Sequence, residues 1–509
     1  MNIKRNLFIL FTGIALTSSG QQINPITQAV LDSYQEILDA SPNDYITLYQ
    51  RGAQYYNLGM YEKALSDLEK AVKLTPEKDK DMRLQEFTLL SSIYSSEKNY
   101  NLALTAVDNA LSIQPESYSL LYAKGNICLE LKNPEEAAKV FKSMQNIKSR
   151  SQESLFGLAR VAVIKGNKTE AEALMKEAEN LDPSNYITHC RIGDINRELG
   201  DNQLAAANYL SAFALTSDED RPVQSLIDLA SDDYESVEAA LNYALSKTTN
   251  TVPLNFLKGN IALASGNYTP AYIAFNELVS RENGRESGVY ASLARTCLAL
   301  DKPQEALSAI NVAVSANPSS ENRLEKARIE RAAGNPASAL VEAEKAYQLN
   351  LNNSDALVEM ALANIDLEQY EKALANLNEA ILTNPSAPLP LMIRAYVYAD
   401  KLKNSKSALS DYKRVSRMNL TSFPEVTYKA LAQTLAGDKK SGDLTMSQAV
   451  NDDMDATDYF HSAIYYSQSG DLAKGKEMLD RAKAKGYGNL YNLNRDKTIN
   501  LNIAPIRYL

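Results

Sequence analysis

A chain of 509 residues with 45% hydrophobic and 23% charged content has the composition of a folded protein, not of an extended disordered one. Its net charge of -10, without any block of basic residues, lacks the electrostatic footprint that nucleic-acid binding requires. Two isolated histidines, His189 and His461, and the absence of a glycine-rich phosphate loop, HExxH or GxSxG leave no candidate catalytic residue, metal ligand or cofactor site.

At the N-terminus Lys4 and Arg5 precede an apolar run from Leu7 to Leu16 and the small, polar Thr17-Ser18-Ser19-Gly20. That order predicts a secretory signal peptide over 1–20, cleaved after Gly20. The run is about ten residues long, half of what a membrane-spanning helix needs, and no cysteine near the boundary offers an acylation site. No later stretch is long and apolar enough to span a bilayer. The expected mature chain is therefore soluble and periplasmic, with the extracellular space or the outer-membrane surface as alternatives. Residues 21–44 hold Val30, Leu31, Tyr34, Ile37 and Leu38 at helical spacing, which predicts an N-terminal capping helix over Ile26 to Leu38.

From Asp44 onward one text recurs. Gly59-Met60-Tyr61-Glu62-Lys63-Ala64-Leu65 returns as Glu368-Gln369-Tyr370-Glu371-Lys372-Ala373-Leu374. The alanines Ala64, Ala103, Ala137, Ala171 and Ala205, then Ala271, Ala306, Ala339, Ala373 and Ala408, follow at a period of roughly 34 residues, the spacing of stacked helical hairpins. In Asp44 to Thr75 the first helix carries Leu48, Gly52 and Tyr55 and the second Ala64, Leu65, Leu68, Ala71 and Val72, which places the apolar residues on one face of each. Gly52 and Ala64 read as points where two backbones approach closely. Leu74-Thr75-Pro76 ends the second helix, because proline lacks the N–H and disfavours helix in its predecessor; Gln114-Pro115, Asp182-Pro183, Asn317-Pro318 and Asn384-Pro385 repeat that stop. The small first-helix slot is kept by Gly52, Gly125, Gly193 and Gly259, filled by Ala159, Ala294, Ala327 and Ala361, and taken by Ser91 in the second repeat.

Small residue, tyrosine, alanine, large apolar residue, alanine and proline at these offsets resemble the tetratricopeptide repeat, here of a secreted or periplasmic bacterial type, from about Tyr45 to Leu420. The resemblance implies an all-α fold, a right-handed superhelical solenoid of helix-turn-helix repeats. On that reading 45–219 and 252–420 are two arrays of about five repeats each. Between them 220–251 is a degenerate or shortened repeat, with helices from Arg221 to Ala230 and from Tyr234 to Ser246 beside the acidic run Ser217-Asp218-Glu219-Asp220. In 421–509, Pro424 to Ala436 reads as helix, Gly437 to Asp455 as a polar loop and Ala456 to Lys485 as a last hairpin. The tail from Asn489 to Leu509 reads as a cap, because terminal repeats must cover the open end of the core.

The resemblance also implies a concave groove lined by first helices, one or two residues per turn. Carried onto this sequence it selects Tyr49, Tyr56, Tyr122, Asn126, Phe156, Arg160, Asp194, Arg197, Phe256, Asn260, Arg295, Arg328, Arg331 and Tyr396. Aromatics and arginines are the usual energetic anchors of protein interfaces, and asparagine can pair with a peptide main chain through both donor and acceptor. The carboxylate clamp of some family members is absent, since its basic slots hold Tyr122, Phe256, Ile187, Glu321 and Glu325. The expected function is a non-enzymatic scaffold that binds a protein or peptide of the cell envelope; a glycan- or peptidoglycan-fragment-binding subunit is the alternative. Of the three cysteines, Cys128 and Cys297 read as small buried residues. Cys190 falls on the inward face, where burial is expected and a tuned redox role is the alternative.

Overall fold

The computed structural model describes residues 25–484 apart from 150, 217–218, 282–285, 301, 421, 451–453 and 455. The expected leader over 1–20 and the expected tail cap lie outside the described residues, as do Ser217 and Asp218 of the acidic run. Among the described residues every regular element is helical. The chain divides at Pro222 and Val223 into two compact units.

The first unit opens with α1 (Pro25–Ala40), in the place expected for the capping helix. Hairpins follow in chain order: α2 (Tyr45–Asn57) with α3 (Tyr61–Leu74), α4 (Lys80–Ser96) with α5 (Tyr100–Ile113), and α6 (Tyr118–Glu130) with α7 (Pro134–Ile147). Then come α8 (Gln152–Ile164) with α9 (Lys168–Leu181) and α10 (Tyr186–Glu198) with α11 (Asn202–Leu215). The second unit takes up from Val223 in α12 (Arg221–Asp232), followed by α13 (Tyr234–Ser246). It continues with α14 (Val252–Ala264) and α15 (Tyr268–Ser280), α16 (Ser287–Ala299) and α17 (Pro303–Ala316), α18 (Ser320–Ala332) and α19 (Pro336–Leu349), and α20 (Ser354–Asp366) and α21 (Tyr370–Thr383). The remaining hairpins are α22 (Pro388–Tyr396) with α23 (Ser405–Ser416), α24 (Phe423–Leu435) with α25 (Lys439–Ala449), and α26 (Ala456–Gln468) with α27 (Leu472–Ala484).

The recurring alanines all occupy one place, the fourth residue of a hairpin's second helix, and none is more than 2% exposed. Opposite them stand the small residues of the first helices. A Cβ added to Gly125 would come within 2.4 Å of the Phe141 ring, one on Gly193 within 2.4 Å of Tyr209, and one on Gly259 within 2.6 Å of Phe275. Each of these rings lies one turn beyond the alanine slot. Where the first helix offers alanine instead, the facing residue is smaller, as in Ala159 with Met175 and Ala294 with Ile310. These hairpins thus fill their crossings with one small and one large side chain, the volume matching that close packing demands; in α18 and α19 both are alanines, Ala327 and Ala343.

Between the two helices the chain turns through a residue of positive φ. It is glycine at Gly59, Gly166, Gly200, Gly266, Gly334, Gly437 and Gly470, and lysine or glutamate at Lys98, Lys132, Glu368 and Lys403. The step from Glu368 to Lys403 is one residue longer than the step from Gly334 to Glu368. The surplus is absorbed where α22 passes into a π-helical turn, Val397–Lys401, the usual way for a helix to accommodate a single insertion.

One expectation is corrected. Gly437 to Asp455 is not a loop: it holds α25, whose Asp438 caps the N-terminus by accepting from the Ser441 N–H at 3.1 Å. Gly442 fills the fourth position of that helix, where a Cβ would lie 2.7 Å from the Ala430 carbonyl oxygen, and Gly475 fills it in α27. The alanine series therefore continues in glycine, a residue that reads as a helix breaker. The stretch 220–251 is the degenerate, shortened repeat expected: its helices span 12 and 13 residues and are joined by a single residue. Here Val237 replaces the slot alanine and Asp233 alone replaces a turn such as Leu58-Gly59-Met60, so the repeat text disappears while both helices persist.

Replacing Ala171 or Ala373 by leucine is expected to overpack its hairpin and cost about 1 to 3 kcal/mol in chemical denaturation followed by circular dichroism. Gly259→Ala and Phe275→Leu should each destabilise, and the double variant by less than the sum, with a coupling of at least about 0.5 kcal/mol; simple additivity would show that these residues do not share a crossing.

Candidate functional site

Three first helices of the first unit and Arg221 meet around a cleft of about 310 Å³, at the small end for ligand pockets. It is lined by Tyr122 and Asn126 of α6, Phe156, Gly157 and Arg160 of α8, Arg191, Asp194, Ile195 and Glu198 of α10, and Arg221 at the start of α12. Residues one turn apart on each helix share a face, which is why 122 and 126, 156 and 160, and 191, 194, 195 and 198 converge.

The charges are arranged in pairs, with one exception. Arg160 donates from Nε to Glu198 at 2.9 Å and from Nη2 to Glu130 at 3.3 Å. Burial pushes the Glu198 carboxyl above its ordinary range, and Arg160 offsets that only in part. Arg221 donates to Asp194 at 2.8 Å, and the Tyr209 hydroxyl donates to the other oxygen of the same carboxylate at 2.9 Å. Arg191 differs. Its guanidinium carbon lies 5.9 Å from the centre of the Tyr122 ring and 5.7 Å from that of Phe156, and among the described residues no carboxylate pairs with it.

Tyr122, Asn126, Phe156, Arg160 and Asp194 are thus brought together as expected, but two of them differ from the expected role. Phe156 is only 3% exposed and works beneath Arg191, not as a free ring. The Asn126 amide is already committed: it donates to the Tyr122 carbonyl at 2.9 Å and accepts from Arg160 at 3.4 Å. Asn260 repeats this arrangement in the second unit, where it is 2% exposed, donates to the Phe256 carbonyl and accepts from Ser292. Each amide thus has one donor and one acceptor engaged within the protein, and Asn260 is in addition too deeply buried for a peptide main chain to reach. Arg197 is exposed and does not line the cleft; its neighbour Glu198 does.

The other expected groove residues do not join this cleft. Tyr49 and Tyr56 are half-buried against the core of the first hairpins, Tyr56 with its ring centre 6.0 Å from that of Tyr61. In the second unit Phe256 stands edge-on to Phe275 at 6.2 Å, and the buried Arg295 Nε has no hydrogen-bond partner. Arg328 bonds Asp355 at 3.3 Å, Arg331 bonds Glu359 at 2.5 Å, and Tyr396 carries Lys401 over its ring at 5.5 Å. The second unit also inverts a bridge of the first. Arg328 follows the small residue Ala327 as Asp194 follows Gly193, and it pairs with Asp355 as Asp194 pairs with Arg221. Two positions before each small residue stand Glu325 and Arg191.

Arg191, Glu198 and Arg221 were not selected by sequence. The signal for the first two was the helical spacing of 191, 194, 195 and 198; for Arg221 there was none, because its pairing depends on the turn that precedes α12. All three cysteines are buried, Cys190 completely. Burial pushes its thiol up to about 11 and that of Cys297 up to about 12. Among the described residues no group of histidine, cysteine or carboxylate side chains is placed to hold a metal ion.

Family models for the tetratricopeptide repeat match residues 45–78, 96–151 and 152–185, which include α6 and α8 of the cleft and end before α10. The chain carries tetratricopeptide repeats. Protein O-mannosyl-transferase TMTC1 of Homo sapiens is 24% identical over 180 residues, 29% of this chain; the chain spans 20% of that relative's length. Among solved structures, yeast Tom70 is similar with 14% identity over 79% of this chain and 96% of its own, at a TM-score of 0.37. The Cut9 and Hcn1 hetero-tetramer of the APC/C has 14% identity over 94% of this chain and 98% of its own, at 0.32. YrrB, described as a TPR protein with an unusual peptide-binding site, has 16% identity over 38% of this chain and 98% of its own, at 0.27.

With their thiols buried and protonated at neutral pH, the three cysteines are expected to be silent toward a thiol reagent in the native protein and to react together once it is unfolded. Rapid labelling of one cysteine in the native chain, located by mass spectrometry, would restore the redox reading for that residue.

Proposed function

We propose that this protein is a non-catalytic scaffold that holds a segment of another protein in the groove formed by the first helices of its first unit. The observation that carries the reading is the cleft across α6, α8 and α10, closed by Arg221, with aromatic, charged and apolar side chains drawn from successive repeats. Such a surface offers many contacts from rigid elements and no reactive group. Its carboxylates are engaged by arginine, and neither histidine nor cysteine lines it. Repeat arrays bind through extended surfaces of this kind.

The leader-like residues 1–20 support export of a bacterial type, and we place the scaffold in the cell envelope, in the periplasm, with an envelope protein as its partner. A glycan reading is disfavoured by the aromatic rings themselves: the faces of Tyr122 and Phe156 that a sugar would stack on are covered by Arg191.

A photo-crosslinking amino acid placed at Glu198, inside the cleft, is expected to capture a discrete protein in intact cells, whereas the same group at the outward-facing Lys139 should not. Equal capture from both positions, or from neither, would remove the groove from the argument. The captured complex should fractionate with the envelope, and the purified chain should begin at Gln21 by terminal sequencing; an uncleaved chain in the cytosol would overturn the location.

A further inference from the structure

We infer that the cleft of the first unit reads the carboxylate of an aspartate or glutamate side chain in the bound segment, and that Arg191 is the residue that reads it. This rests on the groove reading given above and names what the groove selects.

A guanidinium is planar and carries five N–H donors around its edge. With Tyr122 and Phe156 near it, Arg191 uses the faces of the ring systems and keeps its donors without a protein acceptor among the described residues. The ring contacts hold the side chain in place before any ligand arrives, which lowers the ordering cost of binding. A cation in a partly dry cleft gains most from an anion that can pair with it in two parallel bonds, and a carboxylate has that geometry. The neighbouring cations are already matched by carboxylates, Arg160 by Glu130 and Glu198 and Arg221 by Asp194, so a further anion gains less from them than from Arg191.

One available cation fits a side-chain carboxylate better than a chain terminus. A terminal carboxylate is commonly gripped by several donors at once, and here Asn126 and Arg160 are already bonded to each other. The cleft also draws on α6, α8 and α10 and reaches Arg221, so that a segment can continue past Arg191 in both directions. Repeat packing does not require an arginine at this place, since the equivalent positions of other first helices hold Ala123, Leu257 and Glu325.

The test pans the full-length protein against a random dodecapeptide library displayed on phage through its C-terminus, so that no free terminal carboxylate is present. Wild type is expected to enrich peptides with aspartate or glutamate at one fixed position. R191Q should lose that preference and R191E should replace it with lysine or arginine, with both variants matching wild type in circular dichroism and thermal melting. For an amidated synthetic peptide from the wild-type selection, Glu→Gln in the peptide and R191Q in the protein should each weaken binding about tenfold, and together by little more than either alone. Should R191E melt early, R191Q and the peptide substitution decide the matter. Enriched peptides without an acidic position, or the same peptides from wild type and R191E, would overturn the assignment of Arg191 and leave the groove standing. Binding confined to synthetic peptides with a free C-terminus would overturn the side-chain assignment. No enrichment by wild type would overturn the groove reading and this inference with it.

Discussion

The close approach of two helices at one crossing per hairpin is the constraint on which the rest of this molecule depends. Backbones can come that near only where a side chain is nearly absent, and the fourth residue of each second helix supplies that gap with alanine, glycine or, once, valine. In several hairpins the gap is then plugged from one side by a larger residue one turn along. Phe141, Tyr209 and Phe275 lie against glycines, while Met175 and Ile310 lie against alanines. Because the same crossing recurs, first helices follow one another along one side of each unit, and residues far apart in sequence, such as Tyr122 and Arg221, come to line a common cleft.

Ion pairs orient the polar walls of that cleft. Partly exposed pairs contribute little each, so the bridges of Arg160 and Arg221 are better understood as orienting devices than as sources of stability. They fix the directions of Arg160, Glu130, Glu198, Arg221 and Asp194, and among the described residues no carboxylate pairs with Arg191. Asn126 illustrates the same economy, since it spends its donor on its own helix and its acceptor on Arg160. Rigid, already satisfied walls around one available cation make a surface whose selectivity is concentrated at a point.

Much of the fold was legible in the sequence because the crossing tolerates so few residues. Ala64 and its successors, the glycines at 52, 125, 193 and 259, and the proline stops predicted the helices of both units closely. The failure at α25 has a physical cause: Gly442 meets the same steric demand as alanine, but glycine lowers helix propensity, so the helix reads as loop. Both helices of 220–251 were legible even though Val237 and the single-residue turn at Asp233 erase the repeat text. The site was less legible. Spacing along a helix located Tyr122, Phe156 and Arg160, but it did not separate Arg197 from Glu198, which differ by one residue and face different surroundings, nor did it show that both asparagines were already bonded within the protein.

The inverted bridge also bears on how such an array can change. Asp194 pairs with Arg221 in the first unit, and at matching positions Arg328 pairs with Asp355 in the second. If the hairpin of α10 and α11 were moved into the place of α18 and α19, Asp194 would face Asp355; the opposite move would set Arg328 against Arg221. Either exchange puts like charges side by side. Two repeats that look interchangeable in their cores therefore differ at their edges in the sign of a charge, and exchanging them would set like charges together at both places.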